Sequence, residues 1–117
     1  MAVRAVRGAI QVESNDKVNI EQGVVRLIKT IITKNNIINI NIISIIFSQT
    51  KDLTAMNPAS ALRTIGFDNI PLFCTQEPEI INSMNRVIRV LITTESANIL
   101  IPVYLDGAKK LRTDLNS

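Results

Sequence analysis

Arg7, the run Cys74-Thr75-Gln76-Glu77, Arg89 and Tyr104 are polar or reactive groups set where the chain should be apolar. Two guanidiniums, a carboxylate and a phenol together form a donor and acceptor set for a small anion. The segment Arg86-Val87-Ile88-Arg89-Val90-Leu91-Ile92-Thr93 reads as a strand, because it is β-branched and bounded by polar residues. Side chains alternate along a strand, so Arg89 shares a face with Val87 and Leu91, and Arg7 with Val3, Ala5 and Ala9. A guanidinium keeps its charge and is almost never buried unpaired. Each arginine therefore needs an anion, either a protein carboxylate or a ligand. Taken one at a time, these residues have simpler explanations. Arg7 and Arg89 could pair with Glu77 or Glu13. Tyr104 could be a partly buried core residue with its hydroxyl satisfied, and Cys74 a small core hydrophobe.

The elements that must position this set can be read along the chain. Residues 2–10 form a strand pattern. Ser14, Asn15 and Asp16 are helix-start residues, and a helix is expected from there to Asn35 or Asn36. Its apolar stripe is Val18, Val25, Ile28 and Ile32, widened by Val24, Leu27 and Ile31. Gly23 inside it costs about 1 kcal/mol against Ala and marks a close packing contact. Residues 42–49 read as a strand apolar on both faces, hence central in its sheet. After the polar loop 50–57, Pro58 suits the first position of a short helix ending at Thr64 or Ile65, before Gly66. A strand over 70–75, a short helical turn over 78–84, the Arg89 strand over 86–94 and a strand over 103–105 follow. Asp106-Gly107 is a turn, and 108–111 reads as a last strand. The order β-α-β-α-β-α-β-β predicts an α/β fold, a mixed sheet with helices packed on one face.

Composition bounds the function. At 117 residues the chain is one domain, 1–117, and at 46% hydrophobic it has a real core. Aromatics are only 3%, so that core is built of Ile, Val and Leu. A domain this small has limited room for a deep cleft of its own, which favours a site shared between subunits. Net charge is +3, with Lys and Arg dispersed. Nucleic-acid binders show a basic stripe, often with stacking aromatics, so an anionic small molecule is the better partner. There is no histidine, which removes Ser-His-Asp and Cys-His catalysis and every His-bearing zinc site. Cys74 is alone, so no intrachain disulfide forms, as in a reducing compartment, and no His is present to activate it. The chain runs into a strand pattern without a leader signature. Its greasiest stretch, 37–47, is far shorter than the roughly 20 residues of a membrane span. A cytoplasmic or organelle-stroma protein with no membrane partner is expected.

Taken as an ordered set, the residues resemble the monofunctional trimeric class of chorismate mutase, with landmarks over nearly the whole chain. Arg4-Ala5-Val6-Arg7-Gly8-Ala9 with Val12-Glu13 is similar to that family's first strand. Asp52-Leu53-Thr54-Ala55, Pro58-Ala59 and Arg63 follow its loop and helix. Pro71, Cys74, Gln76 and Glu77 follow its next strand and turn, and Ile88-Arg89-Val90-Leu91 the strand after. Val103-Tyr104-Leu105, Gly107-Ala108, Leu111-Arg112 and Asp114-Leu115 follow its C-terminal segment. Asn57 stands where Phe is common and Ser60 where some members carry Lys. Pro102 and Thr113 replace a frequent His and a frequent Pro.

The resemblance implies a homotrimer with a pseudo-barrel core and active sites at subunit interfaces. It implies the rearrangement of chorismate to prephenate, in phenylalanine and tyrosine biosynthesis, without cofactor or metal. The reaction is an intramolecular pericyclic shift that needs no nucleophile or general base, so a chain lacking histidine can perform it. Chorismate is a dianion that must be held in a compact chair. Negative charge grows on its ether oxygen as the C–O bond breaks, and a fixed cation there favours the transition state.

By this resemblance Arg89 is the cation at the ether oxygen. Arg7 forks onto the side-chain carboxylate and Tyr104 donates to it. Glu77 accepts from the ring hydroxyl, aided by Cys74, and Arg63 and Arg112 steer the ring carboxylate near the mouth. Asn57, Ala59, Ser60, Leu72, Phe73, Thr75, Gln76 and Leu111 complete the implied substrate-binding set. Two readings of other classes stand beside this one. A non-catalytic trimer on the same fold would bind small anions without turnover. A nucleic-acid module would show a contiguous basic face and steep salt dependence.

Overall fold

The computed structural model describes residues 1–115, so the last two residues of the expected 1–117 unit lie outside the described residues. Nine elements follow one another. They are β1 (Ala2–Gln11), α1 (Lys17–Asn35), a 3-10 turn (Asn39–Asn41), β2 (Ile42–Gln49), α2 (Pro58–Arg63), β3 (Leu72–Gln76), β4 (Val87–Ser96), β5 (Val103–Leu105) and a 3-10 segment (Asp106–Leu115) broken at Arg112. The strands make one sheet in the order β3-β2-β4-β1-β5. β4 lies at its centre, antiparallel to β1 and β2, while β3 runs parallel to β2 and β5 parallel to β1. This is the expected mixed sheet.

Local chemistry accounts for the helices. Asp16 caps α1, its carboxylate accepting from the Asn19 backbone N–H at 2.8 Å. Asn36, in the left-handed region at φ 52, closes the other end. Asn57 caps α2 by accepting from the Ala59 N–H at 2.9 Å, with Pro58 next in line.

Both helices pack on one face of the sheet. Val6, Ile10, Ile45, Phe47, Ile88 and Ile92 from the strands meet Ile20, Val24, Leu27, Ile31 and Leu62 there. The buried stripe of α1 differs from the expected one: it runs through Ile20, Gly23, Val24, Leu27, Ile28 and Ile31, and Val18 is 61% exposed. Gly23 explains the rotation. A Cβ there would come within 2.8 Å of Val12 Cγ1, so the glycine sets which face of α1 lies against β1.

Two further expectations are corrected. Residues 78–84 form no helix. They make a loop with one turn, in which the Ser83 N–H donates to the Ile80 carbonyl at 3.1 Å. Asn82, at φ 64, breaks any helical run there. Residues 108–111 form no strand. Asp106, at φ 54, turns the chain out of the sheet, and Ala108 seats against Ala9, Val87 and Tyr104 on the opposite face. The chain then continues as 3-10 helix across that face.

Apart from this small second cluster, the second face lies open in the single chain. Val3 is 66% exposed, Phe73 65%, Ile46 39% and Leu91 37%. β2 is interior in the sheet, as expected, but only one of its faces is buried within the chain.

Candidate active site

The strand registers align five residues in one row across the open face. Thr75 opposes Ser48, Ser48 opposes Arg89, Arg89 opposes Ala9, and Ala9 opposes Tyr104. Arg89 thus stands between Ser48 and Ala9, two small side chains that leave room for a guanidinium to lie over the sheet. Arg7 is one step along on the same face, opposite Leu91. Its position is diagonal to Arg89, a relation that spans roughly 7–8 Å. Alternation along each strand and the β1–β4 register together place Arg7 and Arg89 on the same face. Neither is buried in the single chain: Arg7 is exposed and the Arg89 side chain 43% exposed, because the 3-10 segment covers only part of this face.

Glu77 enters from the end of β3. Its N–H donates to the Gln49 carbonyl at 2.8 Å, extending the β2–β3 ladder by one bond. Its carboxylate meets Arg89, Oε1 to Nε, at 3.1 Å. The protein carboxylate and the ligand were the two anions open to Arg89, and in the free chain it takes the carboxylate.

This ion pair lies in a cavity of about 430 Å³. Thr50, Pro78, Ile80, Asn82, Ser83, Met84, Val87, Lys110 and Leu111 complete its wall. The strut beneath the wall is well tied. Arg86, at φ 52, donates its backbone N–H to an Asp52 carboxylate oxygen at 2.9 Å and its Nε to the Val12 carbonyl at 3.0 Å. Thr50 Oγ accepts from the Val87 N–H at 3.1 Å. A larger cavity, about 540 Å³, adjoins Lys51, Asp52 and Glu79 and shares Glu77 but not Arg89. Only the first holds both charges.

The remaining predicted residues take several places in the single chain. Tyr104 is 7% exposed, in the second cluster with Ala9, Val87 and Ala108. Leu111, which packs on that cluster, is also in the cavity wall. Arg112 is half-buried at the break in the 3-10 segment. Phe73 and Thr75 project from β3 onto the open face, and Gln76 is exposed. Cys74 and Leu72 alternate to the other side and pack on the main core. Burial pushes the Cys74 thiol up from its ordinary value, so it stays protonated at neutral pH. Ala59 is buried in the main core, Asn57 is engaged as a helix cap, Ser60 is half-buried and Arg63 exposed. None of these four joins the Arg89 cavity, because α2 packs on α1 and β3 at the helical side of the sheet.

Sequence reasoning missed Thr50, Pro78, Ile80, Asn82, Ser83, Met84, Val87 and Lys110. Loop residues carry no periodic signal. Lys110 had one cue, its place directly before Leu111 and Arg112.

Site and fold together define a small α/β protein with an arginine–carboxylate pair poised over an open sheet face. Comparison with known proteins makes this specific. Residues 3–115 match the family model described as chorismate mutase type I. A chorismate mutase AroH from Thermus thermophilus is 38% identical, with 98% of each chain covered. Chorismate mutase AroH from Bacillus subtilis (strain 168) is 32% identical over 99% of this chain and 94% of that one. A solved chorismate mutase from Clostridium thermocellum superposes with a TM-score of 0.89 at 36% identity, over 92% of this chain and 98% of that chain. The chain belongs to the chorismate mutase type I family, and by that membership it is an isomerase. Among the described residues, no helix is long and apolar enough to cross a membrane.

Proposed function

We propose that this protein rearranges chorismate to prephenate in a site built around Arg89 and Glu77, completed by neighbouring copies of the same chain. The observation that carries the reading is the Arg89–Glu77 pair, 3.1 Å apart in a cavity large enough for a small dianion. On substrate entry Arg89 exchanges Glu77 for the ether oxygen, and Glu77 turns to the ring hydroxyl. The charge that develops on the ether oxygen then meets a cation already in place. A millionfold acceleration needs roughly 8 kcal/mol. One well-placed donor supplies roughly 3–4 of that, and restriction of the substrate to its reactive chair supplies the remainder.

The same reading makes the protein a homotrimer with interface sites. The open face carries Val3, Ile46, Phe73 and Leu91, apolar side chains that need a cover. Asn57, Ala59, Ser60 and Arg63 stand away from their own Arg89, so they contribute through the site of a neighbouring copy. The reading also places the reaction in phenylalanine and tyrosine synthesis, in a reducing cytoplasm or organelle stroma.

The test is chorismate consumption and prephenate formation by purified protein, with Arg89→Ala alongside. Conversion that collapses in a folded variant is expected. A folded wild-type trimer that binds chorismate without turning it over would establish the non-catalytic alternative instead.

A further inference from the structure

We propose that Lys110 is a substrate-binding cation of this site, its ammonium holding a carboxylate of the dianionic substrate. The inference rests on the reading of the Arg89–Glu77 cavity as the chorismate site, and it adds to that reading a residue outside the set the sequence pointed to.

Arg89 and Glu77 neutralise each other within the cavity. A cavity with no net charge has little to hold a dianion that must first leave water. Lys110 lies in the same wall and gives the cavity a net positive charge from this chain alone. Glu77, the carboxylate in the wall with Lys110, is engaged by Arg89; Glu79 is held by Lys51 at 2.6 Å and Asp106 by Arg26. Among the described residues none forms an ion pair with Lys110.

The local fold explains why Lys110 is held there. Arg26 grips Asp106 with two hydrogen bonds, at 2.7 and 3.1 Å, and so pins the start of the 3-10 segment. Ala108 is fully buried against Ala9 and Val87. In a 3-10 helix, residues three apart eclipse, so Leu111 follows Ala108 onto the same face. Lys110 sits between these two seated residues, beside the cavity but with its own side chain in solvent reach. A flexible ammonium so anchored at its base can swing onto a carboxylate without ordering a loop.

The experiment measures kcat and KM for chorismate, and calorimetric binding of prephenate, in wild type, Lys110→Met, Lys110→Arg and Lys29→Met. Lys29 is an exposed lysine of α1 outside the cavity. Lys110→Met should raise KM and weaken prephenate binding about tenfold while kcat changes less than twofold. Lys110→Arg should restore both, and Lys29→Met should change neither. The rise of KM with added salt should also be shallower in Lys110→Met than in wild type. Active wild type with an unchanged KM in Lys110→Met overturns the proposal and leaves the Arg89–Glu77 reading intact. Loss of kcat in Lys110→Met that Lys110→Arg does not rescue also overturns it, by assigning the residue a structural role. Wild type that neither binds nor converts chorismate overturns the site reading and this proposal together.

Discussion

Arg89 and Glu77 form an ion pair across an intervening strand: Nε and Oε1 are 3.1 Å apart although β2 runs between β3 and β4. Ser48, the β2 residue in register with Arg89, is small enough for the two side chains to meet above it.

The pair is half in solvent, so its own contribution to stability is small, below about 1 kcal/mol. Arg89→Ala should therefore leave the melting temperature within a few degrees while lowering kcat by roughly 10²–10³-fold. Circular dichroism melting and steady-state kinetics on the same preparation separate the two effects. A large loss of stability with modest loss of rate would assign the arginine a structural role.

The uncovered sheet face makes a second prediction. Phe73→Glu or Leu91→Glu places a charge among Val3, Ile46 and their neighbours. Wild type should sediment as a trimer at micromolar concentration. Either variant should sediment as a monomer and lose turnover although Arg89 and Glu77 are untouched. A fully active monomer would refute a site shared between copies.

The chain has no histidine, the side chain that ordinarily changes charge between pH 5 and 8. Cys74 is pushed the other way, its thiol raised by burial and so neutral throughout that range. The pH profile of kcat should be flat from about pH 6 to 8, and Cys74→Ala should leave its shape unchanged. A bell-shaped profile in this range would mean that turnover depends on groups that ionise within it.

Asp16 gives a sign for acid stability. Its carboxyl lies below the ordinary 3.8, chiefly through the Ser14 hydroxyl and then the Asn19 N–H, which both favour the charged form. A depressed carboxylate contributes stability fully above its unfolded value and loses it as pH falls through the folded one. Asp16→Asn should therefore narrow the difference in melting temperature between pH 6 and pH 3. An unchanged difference would remove Asp16 from the acid response.

Asn57 occupies a position the family resemblance assigns to the substrate wall, and within its own chain its side chain caps α2. Asn57→Ala should cost about 1 kcal/mol in denaturant unfolding, and Asn57→Asp should retain most of it. Equal loss in both variants would show that the cap is not the source.

Much of this was legible because alternation is rigid. The period of two puts Arg89 with Val87 and Leu91, and Arg7 with Val3, Ala5 and Ala9, and the β1–β4 register brings those two sets onto one face. β2 was read to its observed ends because its β-branched run is bounded by polar residues. The stretch 78–84 reads as a helical turn and is a loop, since Asn82 takes a positive φ that the local pattern does not announce. The stretch after Asp106 was misread for the same reason. The rotation of α1 was decided by tertiary contact at Gly23, which the sequence flagged as a close approach but could not orient. The Arg89–Glu77 pairing was one of two readings that the residues alone left open, and only the end-on entry of β3 selects it.

The sheet order has a consequence for how the chain folds. β1 finds both of its partners, β4 and β5, only in the last third of the chain, and Val12 and Arg86, which hold one end of that pairing, lie 74 positions apart. Closing so long a loop is entropically slow, and topologies dominated by distant pairings fold more slowly than local ones. During synthesis β1 must wait with its ladder groups unpaired while β2, far richer in isoleucine, emerges beside it. Refolding yield should consequently fall with protein concentration more steeply than native solubility does, because the hazard belongs to the waiting strand and vanishes once β4 arrives.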